Sequence, residues 1–310
     1  MLRIKLASRV LTDYYFASST AEAVSYLGAS EGLARTVAGG TELMLQIQRG
    51  ELQAPHLVDI SQVAALRKIA ITPSEVLLGS VVTLSRPLSH EKLHEVCPLL
   101  GEAARCIGTP MLRRLATVGG NVASGWANSE VALALLALEA EAELTGYTGA
   151  QWVPMRSLYV PTGSSRIDAT HELLTALRFR VSDQQQGCAL GRLAVQGRPV
   201  RSPLVGVTIV SLWPPAGGSE WPTVQRAVLA LGAERIPPRR YALVEDALVG
   251  TPWPMARALL ADGVRDAILE IDPMHPAHQR LDEAVSMMSE CFERACLRAI
   301  SIRLNKSNDV

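Results

Sequence analysis

The sequence predicts an α+β chain: two small α/β subdomains, then an α+β C-terminal domain with a small antiparallel sheet and covering helices. Three observations carry this expectation. Helical and strand-like patterns alternate from Arg35 to Ile60. A polar, turn-prone stretch, "SDQQQG" at 182–187, sets a boundary between a first domain over 1–181 and a second over 188–304. Beyond it, two strand patterns joined by a long connection give way to two helical stretches.

The elements follow in order. "SSTAEAVSYLG" opens with Ser19 as N-cap and Glu22 three residues on, the halves of a capping box, and stops at Gly28. "ARTVAGG" reads as a short buried strand entering a glycine turn, "ELMLQIQRG" as a helix ending at Gly50, and "HLVDI" as a second buried strand. Together they make a β-α-β unit, for which parallel pairing is expected. This closes a subdomain of about 1–60, and a second runs over about 61–181. There "EVLLGSVVTL" is strand-like, with Gly79 marking a bulge or a close backbone approach. Ser85 to Arg105 is mostly helical, interrupted at Pro87 and Pro98. "VALALLALEAEAEL" runs from an apolar helix into a strand, and "QWVPMRSLYV" and "ELLTALRFRV" close the region. In the C-terminal part "SPLVGVTIVSLW" and "TVQRAVLALG" are strands flanking "PPAGGSEWP", where Gly217 and Gly218 serve a hairpin connection. Helical stretches cover about 241–270 and 280–304. The last carries Ala284, Met287, Met288, Cys291, Phe292 and Ala295 on one stripe, a core face; 305–310 are left as a tail.

With 310 residues, 48% hydrophobic and 19% charged, the chain has room for more than one well-buried core. Its formal net charge of zero offers no attraction to nucleic acid or to an anionic membrane. The apolar run "VALALLALEA" is closed off by Glu139 and Glu141, so no membrane insertion is expected. The start, "MLRIKLASRVLTDYYF", is too interrupted for a signal peptide, and the expected compartment is cytoplasmic. Cys97, Cys106, Cys188, Cys291 and Cys296 form no C-x-x-C pair and read as buried free thiols. His275 and His278 make an H-x-x-H in a proline-rich turn without an acidic ligand set, so no metal site is expected.

Two glycine pairs share one context: strand, glycines, a hydroxyl or amide, then helix. They are "TVAGGT" at 36–41 and "TVGGN" at 117–121. Glycine tolerates positive φ and has no Cβ, so the chain can turn sharply and press successive N–H groups toward an anion. Thr41 and Asn121 are placed to add side-chain hydrogen bonds. Two such nests on two subdomains would hold the two phosphates of a dinucleotide between them. Neither a G-x-x-x-x-G-K-[ST] loop nor a G-x-G-x-x-G fingerprint is present. No Ser-His-Asp or Cys-His set stands out, and no catalytic residue is nominated, which suits chemistry supplied by a cofactor.

"VAGGTELMLQIQRG" and "LRRLATVGGNVAS…EVALALLALEAEAEL" resemble the two signature loops of the FAD-binding (medium) subunit of molybdenum hydroxylases, the xanthine dehydrogenase and carbon monoxide dehydrogenase type. The resemblance extends through "ISQVAALRKI", "LLGSVVTLSRPL" and "ELLTALRFRV", nearly the whole chain. It implies a PCMH-type FAD-binding domain, with FAD held between two α/β subdomains, and a C-terminal domain of the carbon monoxide dehydrogenase flavoprotein type. By position, Thr36, Val37, Ala38, Gly39, Gly40, Thr41, Glu42 and Leu43 match the loop that wraps the pyrophosphate. Ile107 matches an apolar position near the flavin, and Ala116, Thr117, Gly119, Gly120 and Asn121 fall in the second loop with its phosphate and ribityl contacts. Glu130 stands where the family usually has aspartate, Leu174 matches a ring-lining position, and Arg192 falls near a basic position of the third domain, with Arg198 competing. Where the family commonly reads "NIANASPAGD" this chain has "NVASGWANSE", so Trp126 either stacks near the flavin or packs under the loop.

The resemblance implies an electron-transfer flavoprotein within a multi-subunit oxidoreductase. Molybdopterin is expected on a large partner subunit and [2Fe-2S] clusters on a small one, in a heterotrimer, single or paired. Two other readings stand beside it: a reductase of UDP-N-acetylenolpyruvylglucosamine, which shares this kind of FAD domain, and a structural subunit whose cofactor site has decayed.

Overall fold

The computed structural model describes residues 2–5, 11–126, 129–160, 165–181, 186–193, 204–217, 219–233, 236–270 and 280–307. His275, His278, Arg198, Gly218 and the last three residues of the tail lie outside the described residues.

The first sheet holds β1 (Leu2–Lys5), β2 (Asp13–Phe16), β3 (Ala34–Val37) and β4 (His56–Asp59) in the order β1-β2-β4-β3. β3 and β4 pair in parallel, as the β-α-β pattern predicts, and β2 joins β4 in parallel while β1 runs antiparallel. α1 (Thr20–Ala29) is N-capped by Ser19, whose Oγ accepts from the Glu22 N–H at 3.2 Å. The Glu22 carboxylate accepts from the N–H of Ser18, not Ser19, so the capping box closes one residue early. The helix also runs past Gly28, because its left-handed exit falls at Glu31 and Gly32, with φ of 49° and 82°. α2 (Leu43–Gln48) follows β3 directly after the first glycine loop.

The second sheet is β5 (Ile69–Ile71), β6 (Glu75–Gly79), β9 (Leu173–Arg180), β7 (Glu141–Gly146) and β8 (Gly149–Pro154), in that spatial order and antiparallel throughout. β6 is shorter than its apolar pattern. It stops at Gly79, where a Cβ would stand 2.2 Å from the Leu66 carbonyl oxygen, so the close-approach reading of that glycine holds. Between β6 and β7 lie α3 (Arg86–Ser89), α4 (Glu91–Val96), α5 (Pro98–Arg105), α6 (Pro110–Leu115), α7 (Val118–Ala123) and α8 (Glu130–Ala137). Pro87 and Pro98 sit in the first turns of α3 and α5, where proline's missing N–H costs nothing.

The third sheet is an antiparallel meander of β10 (Gln186–Leu193), β11 (Leu204–Trp213), β12 (Thr223–Ala233) and β13 (Ile236–Arg240). α9 (Ala242–Leu248), α10 (Trp253–Leu269) and α11 (Leu281–Ser307) cover it. α8 packs on one face of β11 and α11 on the other. Val205, Val207 and Ile209 thus join the core that includes α8, while Leu204 and Val210 join Met288, Cys291 and Phe292 of α11. That double cover explains why β11 is largely apolar without alternation and why α8, beyond Glu130 at its start, is apolar all round, with every one of its residues buried. No helix among the described residues is long and apolar enough to cross a membrane.

Candidate functional site

The two glycine loops touch. A Cβ on Gly39 would lie 1.9 Å from the Leu115 carbonyl oxygen, so the first loop is pressed against the backbone that enters the second. Gly40 has φ of 66°, a left-handed turn that swings the chain from β3 into α2. Gly119 is equally tight, since a Cβ there would stand 2.5 Å from Cβ of Ser80, the residue at which the chain leaves β6.

A cavity of about 860 Å³ opens where the loops meet, within the range of small-molecule and cofactor pockets. Every residue nominated from the sequence lines it: Thr36 to Leu43, Ile107, Ala116, Thr117, Gly119, Gly120, Asn121, Glu130, Leu174 and Arg192. They arrive from three bodies. The first loop comes from the first sheet and the second loop with Glu130 from the helices beside the second sheet. Leu174 comes from β9, and Arg192 from the third sheet. Leu174 is placed by a β-bulge: Glu143 pairs with Ala176 but Leu144 with Leu174, leaving Thr175 as the extra residue. Trp126 lines the cavity as well.

The loops are not equivalent in hydrogen bonding. Among the described residues no partner takes up the main-chain N–H groups of Ala38, Gly39, Gly40 or Thr41. The second loop is internally engaged. Val118 N–H donates to Val82 O at 2.8 Å, Gly119 N–H to Ser80 O at 2.9 Å, and Asn121 N–H to Thr117 O at 2.9 Å. Gly120 N–H donates to Thr117 Oγ1 at 3.0 Å. The expectation of two open nests is therefore corrected: one loop presents free donors, and the other is a wall locked to the end of β6. That wall offers side chains instead. Asn121 Oδ1 accepts from Ser129 Oγ, which leaves the amide NH₂ as its donating end.

Glu130 and Arg192, nominated separately, meet. Arg192 Nε lies 3.0 Å from Glu130 Oε1, and an Arg192 Nη1–H donates to Cys106 O at 3.3 Å. The pair joins the N-terminus of α8 to β10 along the cavity wall. Burial, with the Glu130 charge, pushes the Cys106 thiol above its ordinary range and keeps it protonated at neutral pH. Sequence reasoning passed over Ser80 and Ser129. Ser80 offered only a hydroxyl between Gly79 and Val81, and Ser129, between Asn128 and Glu130, only a serine ahead of an apolar helix, signals that many serines share.

An FAD-sized cofactor fits the donor set: free amides for a diphosphate on one side, neutral hydroxyl and amide groups on the other, and apolar Ile107 and Leu174 for a ring. Similarity to known proteins agrees. A carbon monoxide dehydrogenase medium chain of Hydrogenophaga pseudoflava is 29% identical over 181 residues, 58% of this chain and 63% of that one. That of Afipia carboxidovorans is 32% identical over 182 residues, 58% of this chain and 62% of the relative. A xanthine dehydrogenase FAD-binding subunit of Escherichia coli O157:H7 is 30% identical over 169 residues, 54% and 57%. The matches thus span 57 to 63% of these curated relatives' own lengths. A solved structure of reconstituted CO dehydrogenase from Oligotropha carboxidovorans superposes with a TM-score of 0.80 at 26% identity, covering 92% of this chain and 97% of that one. CO dehydrogenase from Hydrogenophaga pseudoflava shares the fold, with a TM-score of 0.82 at 24% identity over 96% of this chain and 99% of that one. With residues 7–179, both glycine loops included, matching the family described as the FAD binding domain in molybdopterin dehydrogenase, the chain belongs to that family.

Proposed function

We propose that the chain is the FAD-binding, electron-transferring subunit of a multi-subunit molybdenum hydroxylase. The observation that carries this reading is the convergence of both glycine loops on one cavity, with the amides of Ala38 to Thr41 left to receive an anion. FAD, when bound, supplies the redox chemistry. The chain's own residues then have separate tasks. The first loop grips the diphosphate by backbone donation, and Thr117 and Asn121 orient the cofactor's neutral part. Leu174 and Ile107 exclude water from the ring, and the Glu130–Arg192 pair closes the side toward the third sheet.

In this reading a small partner with [2Fe-2S] clusters feeds electrons in, a large molybdopterin-binding partner carries out the hydroxylation, and an external acceptor takes the electrons away. Support for partners comes from Met44 and Leu45 on α2 and Met111 and Leu115 on α6. All four are exposed on the two helices bordering the loop contact, a surface suited to burial against another polypeptide. Reconstitution tests the cofactor claim. The purified chain is expected to take up about one FAD and show a flavin spectrum; a chain left colourless by excess FAD sinks the reading.

A further inference from the structure

Arg35 lines the cavity one residue ahead of the first glycine loop. It is half-buried and stands on β3, the edge strand of the first sheet. Leu33 O accepts from His56 N–H at 3.3 Å and Val37 O from Ile60 N–H at 2.9 Å, so alternate carbonyls face β4 and that of Ala34 faces the open edge. The Arg35 side chain folds back along that edge, where Nη1 donates to Ala34 O at 2.8 Å and to Gly32 O at 2.9 Å. These two bonds fix the guanidinium plane. Among the described residues no carboxylate meets it, and its remaining N–H groups and its flat face are left to the cavity.

Distance separates this group from the diphosphate. The free amides begin at Ala38, four residues beyond Ala34, or about 13 Å of extended chain, and the guanidinium is turned away from them. A phosphate gripped by the loop is thus out of its reach, whereas the nucleoside attached to that phosphate can run along the edge. Ile107 and Leu174 of the second body take the flavin ring in the reading above, which leaves the adenosine half to the first body. Gln46 of α2 and Leu52 line the cavity too, joined by a Leu52 N–H bond to Gln46 O at 3.3 Å. A flat cation to stack on, an apolar side chain and an amide carbonyl to accept from an exocyclic amine are groups that recognise adenine. We infer that Arg35 is a cofactor-binding residue whose guanidinium stacks on the adenine of FAD, with Gln46 and Leu52 completing an adenosine subsite. The inference rests on the FAD reading above and extends it to a residue which the resemblance did not nominate. It also gives the chain a means of selecting a dinucleotide over a flavin mononucleotide.

The experiment compares wild type with Arg35→Ala and Arg35→Lys in the full chain. It measures the dissociation constant of FAD by flavin titration, and those of ADP and FMN, which carry the two ends of the cofactor separately, by competition. In Arg35→Ala the loss of stacking is expected to raise the constants for FAD and ADP about 3- to 30-fold and to leave that for FMN within about twofold. Arg35→Lys keeps the charge but not the plane, so it is expected to resemble the alanine variant. A loss shared equally by FMN would mean that the loops themselves were disturbed. Full rescue by lysine would mean a charge acting on phosphate, and ADP competing equally well against all three proteins would mean no contact with adenine. Each of these results, like an unchanged FAD affinity, overturns the inference while leaving the FAD reading intact. A wild-type chain that takes up no FAD overturns both.

Discussion

Gly39 shows how a single missing atom builds the site. Its α-carbon hydrogen points at the Leu115 carbonyl, and a methyl there would overlap main chain, not a movable side chain. Gly39→Ala must therefore push the two loops apart, and overpacking of this kind costs about 1–3 kcal/mol. We expect a Tm several degrees lower and an FAD affinity reduced at least about tenfold, by calorimetry and flavin titration. Gly120→Ala serves as the contrast. Its added Cβ meets only the Thr117 hydroxyl, at 2.9 Å, on an exposed position, so a milder effect on both measurements is expected. Equal effects from the two variants would show that loop contact is not what shapes the cavity. Both glycine pairs were legible in the sequence from their shared context. Which glycine carries the steric constraint was not, because that depends on Leu115 and Ser80 arriving from elsewhere in the chain. The same holds for two of the second loop's engaged amides: the acceptors of Val118 and Gly119, which are Val82 and Ser80, sit on a segment with no pattern linking it to residue 119.

At the scale of elements, α8 and its exit tie the flavoprotein region to the third sheet. Glu139, just past α8, holds φ of 56°, a conformation uncommon outside glycine. Its carboxylate accepts from Arg226 Nη2 on β12 at 2.6 Å and from Arg240 on β13. Arg240 also forks onto Glu245 of α9, at 3.0 and 2.6 Å, and Glu245 Oε1 accepts the Leu229 N–H at 2.9 Å. Burial raises the Glu139 pKa, but the Arg240 hydrogen bond and the charges of Arg240 and Arg226 more than offset this and hold it below 4.5. A depressed carboxylate contributes stability above its unfolded value, and that stability is lost as pH falls through the folded one. Because Glu139 is half exposed, Glu139→Gln is expected to cost no more than about 1 kcal/mol at pH 7. The gap to wild type should close as the pH drops below 4.5 and reappear on return to neutrality. Denaturation curves at both pH values decide it; a gap that persists in acid would mean the network is not what Glu139 contributes.

Legibility varied among the elements for similar reasons. α8, β11 and α11 announced themselves by long apolar patterns. β13, "IPPRR", is a strand that holds two prolines, and β5 spans only three residues. Neither has a period to read, and both exist because a longer neighbour, β12 or β6, supplies the ladder.

Taken as a whole, the molecule places its cavity across three bodies, so a ligand there must couple them. The first loop belongs to the first sheet, the second loop and Leu174 to the second sheet and its helices, and Arg192 to the third sheet. A ligand that binds only the folded form stabilises it by mass action, by about 2.7 kcal/mol at a hundredfold excess over its dissociation constant. For a chain of 310 residues that is expected to raise Tm by about 4 °C. Part of the gain should depend on the third sheet, because Arg192 is its contribution to the lining and, through Glu130 at 3.0 Å, its tie to α8. Arg192→Ala should therefore shrink the FAD-induced rise relative to wild type, whatever it does to the FAD-free chain. Scanning calorimetry with and without saturating FAD separates the two effects within each protein. If the increment were the same in both, FAD would be held by the first two bodies alone and the third sheet would be a neighbour of the site, not a wall of it.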